Sequence, residues 1–245
     1  MEKIIKSQSL KENQRLKENI VFLLPDRGNL DDPSIKWRSG KPDYTRANSE
    51  FFKGKTMNHS EGSIEKFVED LVKTWEMECS HKIDFQQWNT VNHETYCISA
   101  NGGKKFSGEE NLTEGNYNVL LNVCNPEFYD SKKENFESSH VLFRSCFNNS
   151  FPWELLKVFS GPPKVVFTWR HWGTFSGTFM EQNGDNKLYE MYGFCIVKVN
   201  QDMKIESIEV YYKPDDFFQA LLEKNATLSG TNSLFGNGCP FASNA

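Results

Sequence analysis

Between residues 153 and 213 four runs rich in Val, Ile, Phe, Tyr and Trp follow one another with only short breaks. They are Trp153–Ser160, Lys164–Phe175, Leu188–Val199 and Lys204–Lys213, parted by Gly161-Pro162-Pro163, Asn183-Gly184-Asp185 and Asn200-Gln201-Asp202. Such runs read as strands, and connections this short allow only antiparallel neighbours. A meander of this length needs an apolar cover on at least one face. The third run is apolar at both parities: Tyr189, Met191, Cys195 and Val197 on one side, Leu188, Tyr192, Phe194 and Ile196 on the other. A strand buried on both faces needs cover on both, so a second subunit is expected over the face the helices leave free, making a homodimer.

The cover lies upstream. Ser63 stands where a helix cap is expected, and Ile64, Phe67, Val68, Leu71, Val72 and Trp75 then recur at helical spacing. Residues 83–99 read as a β-hairpin, with Asn101-Gly102-Gly103 as the next turn. Helices are expected over 109–123 and 134–147, the latter with Phe136, His140, Phe143 and Phe147 on one face. Pro214-Asp215 opens a last short helix to about Leu222. Helices first and a sheet last make an α+β layout, with helices packed on one face of a curved antiparallel sheet. The domain is expected to span 61–224. Residues 1–60 read as an extended N-terminal arm, with a short helix near Leu10–Ile20, pinned to the body by Trp37, Phe51 and Phe52. Residues 225–245, rich in Asn, Ser and Gly, read as a flexible tail.

Several function classes drop out. With 28 basic against 33 acidic residues and no basic stripe, nucleic acid is not an expected partner. No apolar run is long enough to span a membrane, and Ile20–Leu24 is too short and too far from a basic start for a signal-peptide core, so a cytoplasmic protein is expected. The six cysteines form no CxxC pair and read as buried free thiols. His59, His81, His93, His140 and His171 lack the close spacing of a zinc motif. P-loop, dinucleotide-fold and nucleophile-elbow signatures are missing too. The reading that remains is a reaction without metal or cofactor, or plain binding.

Polar residues on apolar faces carry the remaining information, because a buried charge is costly unless paired. Extending the first helix at about 100° per residue places Glu78 and Cys79 on the stripe of Leu71 and Trp75, Glu76 at its margin, and Met77 and His81 elsewhere. His140 lies between Phe136 and Phe143, with Arg144 one turn along. An inward Glu78 and an inward His140 would form a buried acid–base pair suited to proton transfer near neutral pH; the alternative is that each hydrogen-bonds the sheet or caps a helix. In Trp169-Arg170-His171-Trp172-Gly173, alternation puts Trp169 and His171 on one face, Arg170 and Trp172 on the other. Arg170 is placed to hold an enolate or carboxylate oxygen, or, alternatively, to meet an aromatic ring or Glu190 or Glu209. Tyr192, Tyr211 and Tyr212 are candidate donors to a ligand carbonyl.

Several segments together are distinctive: TWEMECSHK from Thr74, NGG from Asn101, GEE from Gly108, FESSHVLFR from Phe136, WELLKVFSGPP from Trp153, RHWG from Arg170, VYYKPDDFF from Val210, and the terminal Cys239-Pro240-Phe241. In this order they resemble the plant pathogen-related protein family, over most of residues 60–220. That family is similar in architecture to the nuclear-transport-factor-2-like superfamily, with its SnoaL-like polyketide cyclases, scytalone dehydratase and ketosteroid isomerase. The resemblance implies a cone of helices around a curved sheet, an apolar cavity, frequent dimers, and chemistry without metal or organic cofactor by a carboxylate or His base and an oxyanion donor. Non-catalytic binders occur there as well. The chain departs from the pattern at Lys213, where an acidic residue is expected.

Combined with the residues, this implies a cofactor-independent lyase or isomerase of cyclase or dehydratase type for an aromatic, polyketide-like or terpenoid-like molecule. Glu78 or His140 would take the proton, and Arg170 or a tyrosine would hold the oxyanion. Trp75, Phe143, Trp169, His171, Trp172, Tyr192, Tyr211 and Tyr212 would surround the ligand. A carrier or sensor for an apolar metabolite is the alternative, and a scaffold with a filled core is a third.

Overall fold

The computed structural model describes residues 24–148 and 150–222; the helix expected near Leu10–Ile20 and the tail 225–245 lie outside them. In chain order the elements are α1 (Thr45–Gly54), α2 (Ile64–His81), β1 (Cys97–Ala100), β2 (Phe106–Ser107), α3 (Gly108–Glu114), α4 (Asn116–Leu121) and α5 (Phe136–Cys146). Then come β3 (Trp153–Ser160), β4 (Lys164–Thr174), β5 (Thr178–Phe179), β6 (Gln182–Asn183), β7 (Leu188–Val199), β8 (Ile205–Tyr212) and α6 (Pro214–Leu222). The four long runs pair as expected, in a six-stranded sheet of order β2-β1-β8-β7-β4-β3. All pairings are antiparallel except β1 on β8. Breaks in register within β3 and near Val199 are bulges, which bend strands and deepen the sheet's curvature. The helices close the concave side: the fold is α+β, helices on a curved, mostly antiparallel sheet.

Ser63 caps α2 by accepting from the Lys66 amide at 3.1 Å. Val68, Trp75 and Cys79 then pack with Leu155, Phe167, Trp169 and Val197 of the sheet. A second apolar cluster joins Phe143 and Phe147 of α5 to Phe175, Phe179 of β5, and Phe217 and Phe218 of α6.

Three expectations are corrected here. Residues 83–99 are not a hairpin. Asp84 caps a 3-10 turn at Phe85–Gln87, Trp88 is fully buried, and a strand begins only at Cys97. The helix expected over 109–123 is two helices, because Gly115 between α3 and α4 adopts φ 83°. The arm is not extended throughout: α1 lies within it, with Phe51 buried against the body. Ten residues suffice to bury one ring, so no long-range periodicity announces such a helix.

Candidate functional site

Between α2 and the concave face of the sheet lies a cavity of about 520 Å³. Its floor is the inward parity of three strands: Val165, Phe167, Trp169 and His171 of β4, Cys195 and Val197 of β7, and Ile208, Val210 and Tyr212 of β8. Val68, Leu71, Val72 and Trp75 of α2 form one wall; Tyr117 and Leu120 of α4 with His140 and Phe143 of α5 form another. Arg27, Asp43, Tyr44 and Phe51 come from the segment ahead of α2. Trp75 is held by a hydrogen bond from its indole N–H to Tyr96 Oη at 3.0 Å, and Tyr117 stacks on Phe143 at 4.1 Å. The walls are therefore mostly apolar and rigid.

Polar groups gather at two places. One group comprises Arg27, Tyr44, Glu76, His81, His140 and Arg144. The Arg27 guanidinium sits 3.8 Å over the Tyr44 ring, and that ring meets His81 edge-on at 5.9 Å. His140 is held by stacking on Phe136 at 4.2 Å and by Nδ1, 2.7 Å from the Phe136 carbonyl. A carbonyl only accepts, so Nδ1 carries the proton and Nε2 is left with its lone pair. Burial lowers the pKa of His140, partly offset by that carbonyl, so the ring is neutral at pH 7. Burial likewise lowers His81, with Glu76 opposing. The Tyr44 hydroxyl is buried without a hydrogen-bond partner, and burial, then the charge of Glu76, pushes its pKa up, so it stays protonated. The second group comprises Lys73, Ser150 and His171. His171 Nδ1 and Ser150 Oγ are buried without partners, and burial, then the Lys73 charge, lowers His171 to about 3.

Of the residues expected at the site, Trp75, His140, Phe143, Trp169, His171 and Tyr212 line the cavity. Glu78 does not. It is 1% exposed, but its carboxylate accepts from the Asn89 amide at 2.6 Å, the Thr90 amide at 3.0 Å and the Thr90 hydroxyl at 2.6 Å, and pairs with Lys82 at 2.9 Å. It anchors the 87–91 loop, and the Glu78–His140 pair does not form. Met77, expected to point elsewhere, is buried as well. Arg170 lies on the opposite face of β4, bonded to Glu154 at 2.8 Å, Glu190 at 2.6 Å and the Gly54 carbonyl at 2.9 Å, and stacked over Trp172 at 4.3 Å. Trp172 shares that face by strand alternation. Tyr192 is half exposed there and pairs with Arg170 across β4 and β7. Tyr211 stacks on Phe194, also on that face. Tyr212 faces the cavity, but its hydroxyl is given to the Leu120 carbonyl at 2.9 Å.

The carboxylate that does line the cavity is Glu76. Counted from Val68, Glu76 lies about 80° to one side of the helix and Glu78 about 80° to the other. Measured from Leu71 and Trp75, however, Glu78 is the nearer of the two, so the periodicity of α2 favoured the carboxylate that does not meet the cavity. Lys73 and Tyr44 were also missed; the Val68-Val72-Glu76-Ser80 line at four-residue spacing is the one signal that pointed to this wall.

No family model matches the chain. Among solved structures it is similar to a proposed polyketide cyclase from Acidithiobacillus ferrooxidans, at TM-score 0.41 and 12% identity over 67% of this chain and 99% of that one. It is similar also to a protein with a ketosteroid isomerase-like fold from Catenulispora acidiphila, at TM-score 0.35 and 10% identity over 60% and 88%. At that distance the likeness says nothing of function. A pathogen-related protein of Hordeum vulgare is 35% identical over 210 residues, which is 83% of this chain and 87% of the relative. An alignment of that identity and extent makes this chain a member of the pathogen-related protein family.

Proposed function

We propose that the cavity binds a small, largely apolar molecule and that the chain converts it without cofactor, as a lyase or isomerase of cyclase or dehydratase type. The observation that carries this reading is His140: a neutral imidazole, its Nδ1–H given to Phe136, its Nε2 lone pair left free on an apolar wall. In the proposed step Nε2 takes a proton α to a ligand carbonyl. The Tyr44 hydroxyl donates to the oxyanion that forms, and Glu76 stabilises the imidazolium. The proton then returns at another carbon, or a β-leaving group departs. One oxyanion donor is worth roughly 3 kcal/mol. The size of the cavity, about 520 Å³, suits a molecule of aromatic, polyketide-like or terpenoid-like dimensions.

The test is turnover of ligands extracted from the native protein. His140→Gln should abolish conversion while retaining ligand, and Glu78→Gln should leave the folded fraction active. Conversion by His140→Gln at the wild-type rate would overturn the mechanism. The second reading, a carrier or sensor, is favoured by Glu78 and Arg170 being engaged away from the cavity; recovery of the extracted ligand unchanged after incubation selects it.

A homodimer belongs to the same proposal. The convex face exposes Leu188, Tyr192 and Phe194 of β7, more apolar surface than a strand bathed in water usually presents. A monomeric mass by light scattering at micromolar concentration would refute it. The cytoplasmic setting is supported by Cys79, Cys97, Cys124, Cys146 and Cys195 being free. No described helix is long and apolar enough to cross a membrane.

A further inference from the structure

Two lysines of the α2 region are buried, and they are treated in opposite ways. Lys82 is 2% exposed and has what a buried ammonium requires: Glu78 at 2.9 Å and the Gln87 carbonyl at 2.6 Å. Lys73 is 6% exposed and, among the described residues, has no carboxylate within ion-pair distance. Its Nζ donates to the Trp153 carbonyl at 2.7 Å and sits 4.0 Å over the Phe51 ring. A carbonyl and a ring face leave most of the ammonium's lost hydration unreplaced. Lys73 also lines the cavity, beside Ser150 and His171 with their unpartnered Oγ and Nδ1.

We propose that Lys73 is a reactive amine that condenses with an aldehyde or ketone group of an apolar ligand in this cavity. The inference rests on the reading that the cavity admits such a ligand, and it deepens that reading by naming a carbonyl-bearing substrate class. The neutral amine attacks the carbonyl carbon. The N–C bond forms as the C=O π pair moves to oxygen, and a proton passes from nitrogen to that oxygen to give a carbinolamine. Loss of water breaks the C–O bond while the nitrogen lone pair closes C=N, so amine and carbonyl become imine and water with no oxidant or reductant. A lysine desolvated in an apolar pocket is a recognised way to keep an amine nucleophilic near neutral pH. Burial lowers the pKa of Lys73 to about 8; Glu69, Glu76 and Glu154 oppose the shift, Arg27 adds to it, and the neighbouring His171 is neutral.

The experiment uses the full chain with trans-cinnamaldehyde and sodium cyanoborohydride at pH 7.5, followed by peptide mapping of the reduced adducts. Cavity occupancy is read separately, by displacement of the fluorophore N-phenyl-1-naphthylamine with the aldehyde and with cinnamyl alcohol, which cannot condense. The expected result is an adduct at Lys73 forming roughly tenfold or more faster than at exposed lysines, because a larger share of its amine is unprotonated. Lys73→Met should remove that adduct and keep fluorophore displacement; the mapping on wild type decides even if this variant fails to fold. Displacement by both compounds with no preference for Lys73 overturns the reactive amine and leaves the cavity reading standing. No fluorophore bound and no Lys73 adduct overturns both.

Discussion

Replacing Glu78 by Ala should cripple the fold and spare the cavity. The carboxylate accepts three hydrogen bonds from Asn89 and Thr90 and holds the ammonium of Lys82, with both ion-pair partners all but inaccessible to water. Alanine leaves Lys82 with the Gln87 carbonyl as its remaining partner and strips two loop amides of their acceptor. Breaking a buried pair from one side costs about 3–5 kcal/mol, and each orphaned amide adds about 1 kcal/mol or more unless water reaches it. For a chain of this size 1 kcal/mol corresponds to roughly 2–4 °C, so a fall in Tm of about 10 °C or more is expected. Glu78→Leu combined with Lys82→Met removes both charges together and should recover a large part of the loss, since an apolar pair of similar volume often replaces a buried ion pair at little cost. The assay is urea and thermal unfolding of wild type, Glu78→Ala and the Glu78→Leu/Lys82→Met double variant, with fluorophore binding to the cavity measured on each. A Glu78→Ala protein that melts within about 2 °C of wild type yet no longer binds would refute the structural assignment and return Glu78 to the site.

Acidification should expose His171. Its folded pKa is depressed to about 3 from an ordinary 6.5, so below pH 6.5 the unfolded chain takes up a proton that the folded chain refuses, and stability falls by up to about 1.4 kcal/mol per pH unit. Urea titrations at pH 7 and pH 5 should show a shallower loss in His171→Asn than in wild type; parallel slopes would refute this. Gly115→Ala should destabilise by about 1 kcal/mol or more, because φ there is 83° and a Cβ would approach Phe136 Cδ2 to 2.8 Å. An unchanged melting temperature would show that α3 and α4 can fuse.

Strand alternation and helical period made much of the fold legible. The four-strand meander, α2 with its Ser63 cap, α5 and α6 all follow from local pattern, because each must bury one face and the spacing of apolar residues states which. The same logic placed Trp169 and His171 on one side of β4 and Arg170 on the other. Which side is concave depends on what packs there, and β4 alone is silent on that. The 83–91 segment misled for a related reason: Glu78 and the core hold most of it, and its strand contact is a single parallel bridge from Val91 to Ile205, so no period marks it.

The residues by themselves determined an α+β chain, an aromatic-rich sheet and a histidine among phenylalanines on α5. Only the tertiary structure decided which carboxylate of α2 meets the cavity. The helical period set Glu78 nearer the apolar stripe than Glu76, but the choice falls to the 87–91 loop, which covers one flank of the helix and leaves the other to the cavity. The same holds for the two lysines. Lys82 finds Glu78 because they are one helical turn apart, whereas Lys73 lies on the cavity wall because α2 crosses the end of β3, where the Trp153 carbonyl accepts its hydrogen bond. Burial and partnership are properties of the packed chain, and local spacing reports the first far better than the second.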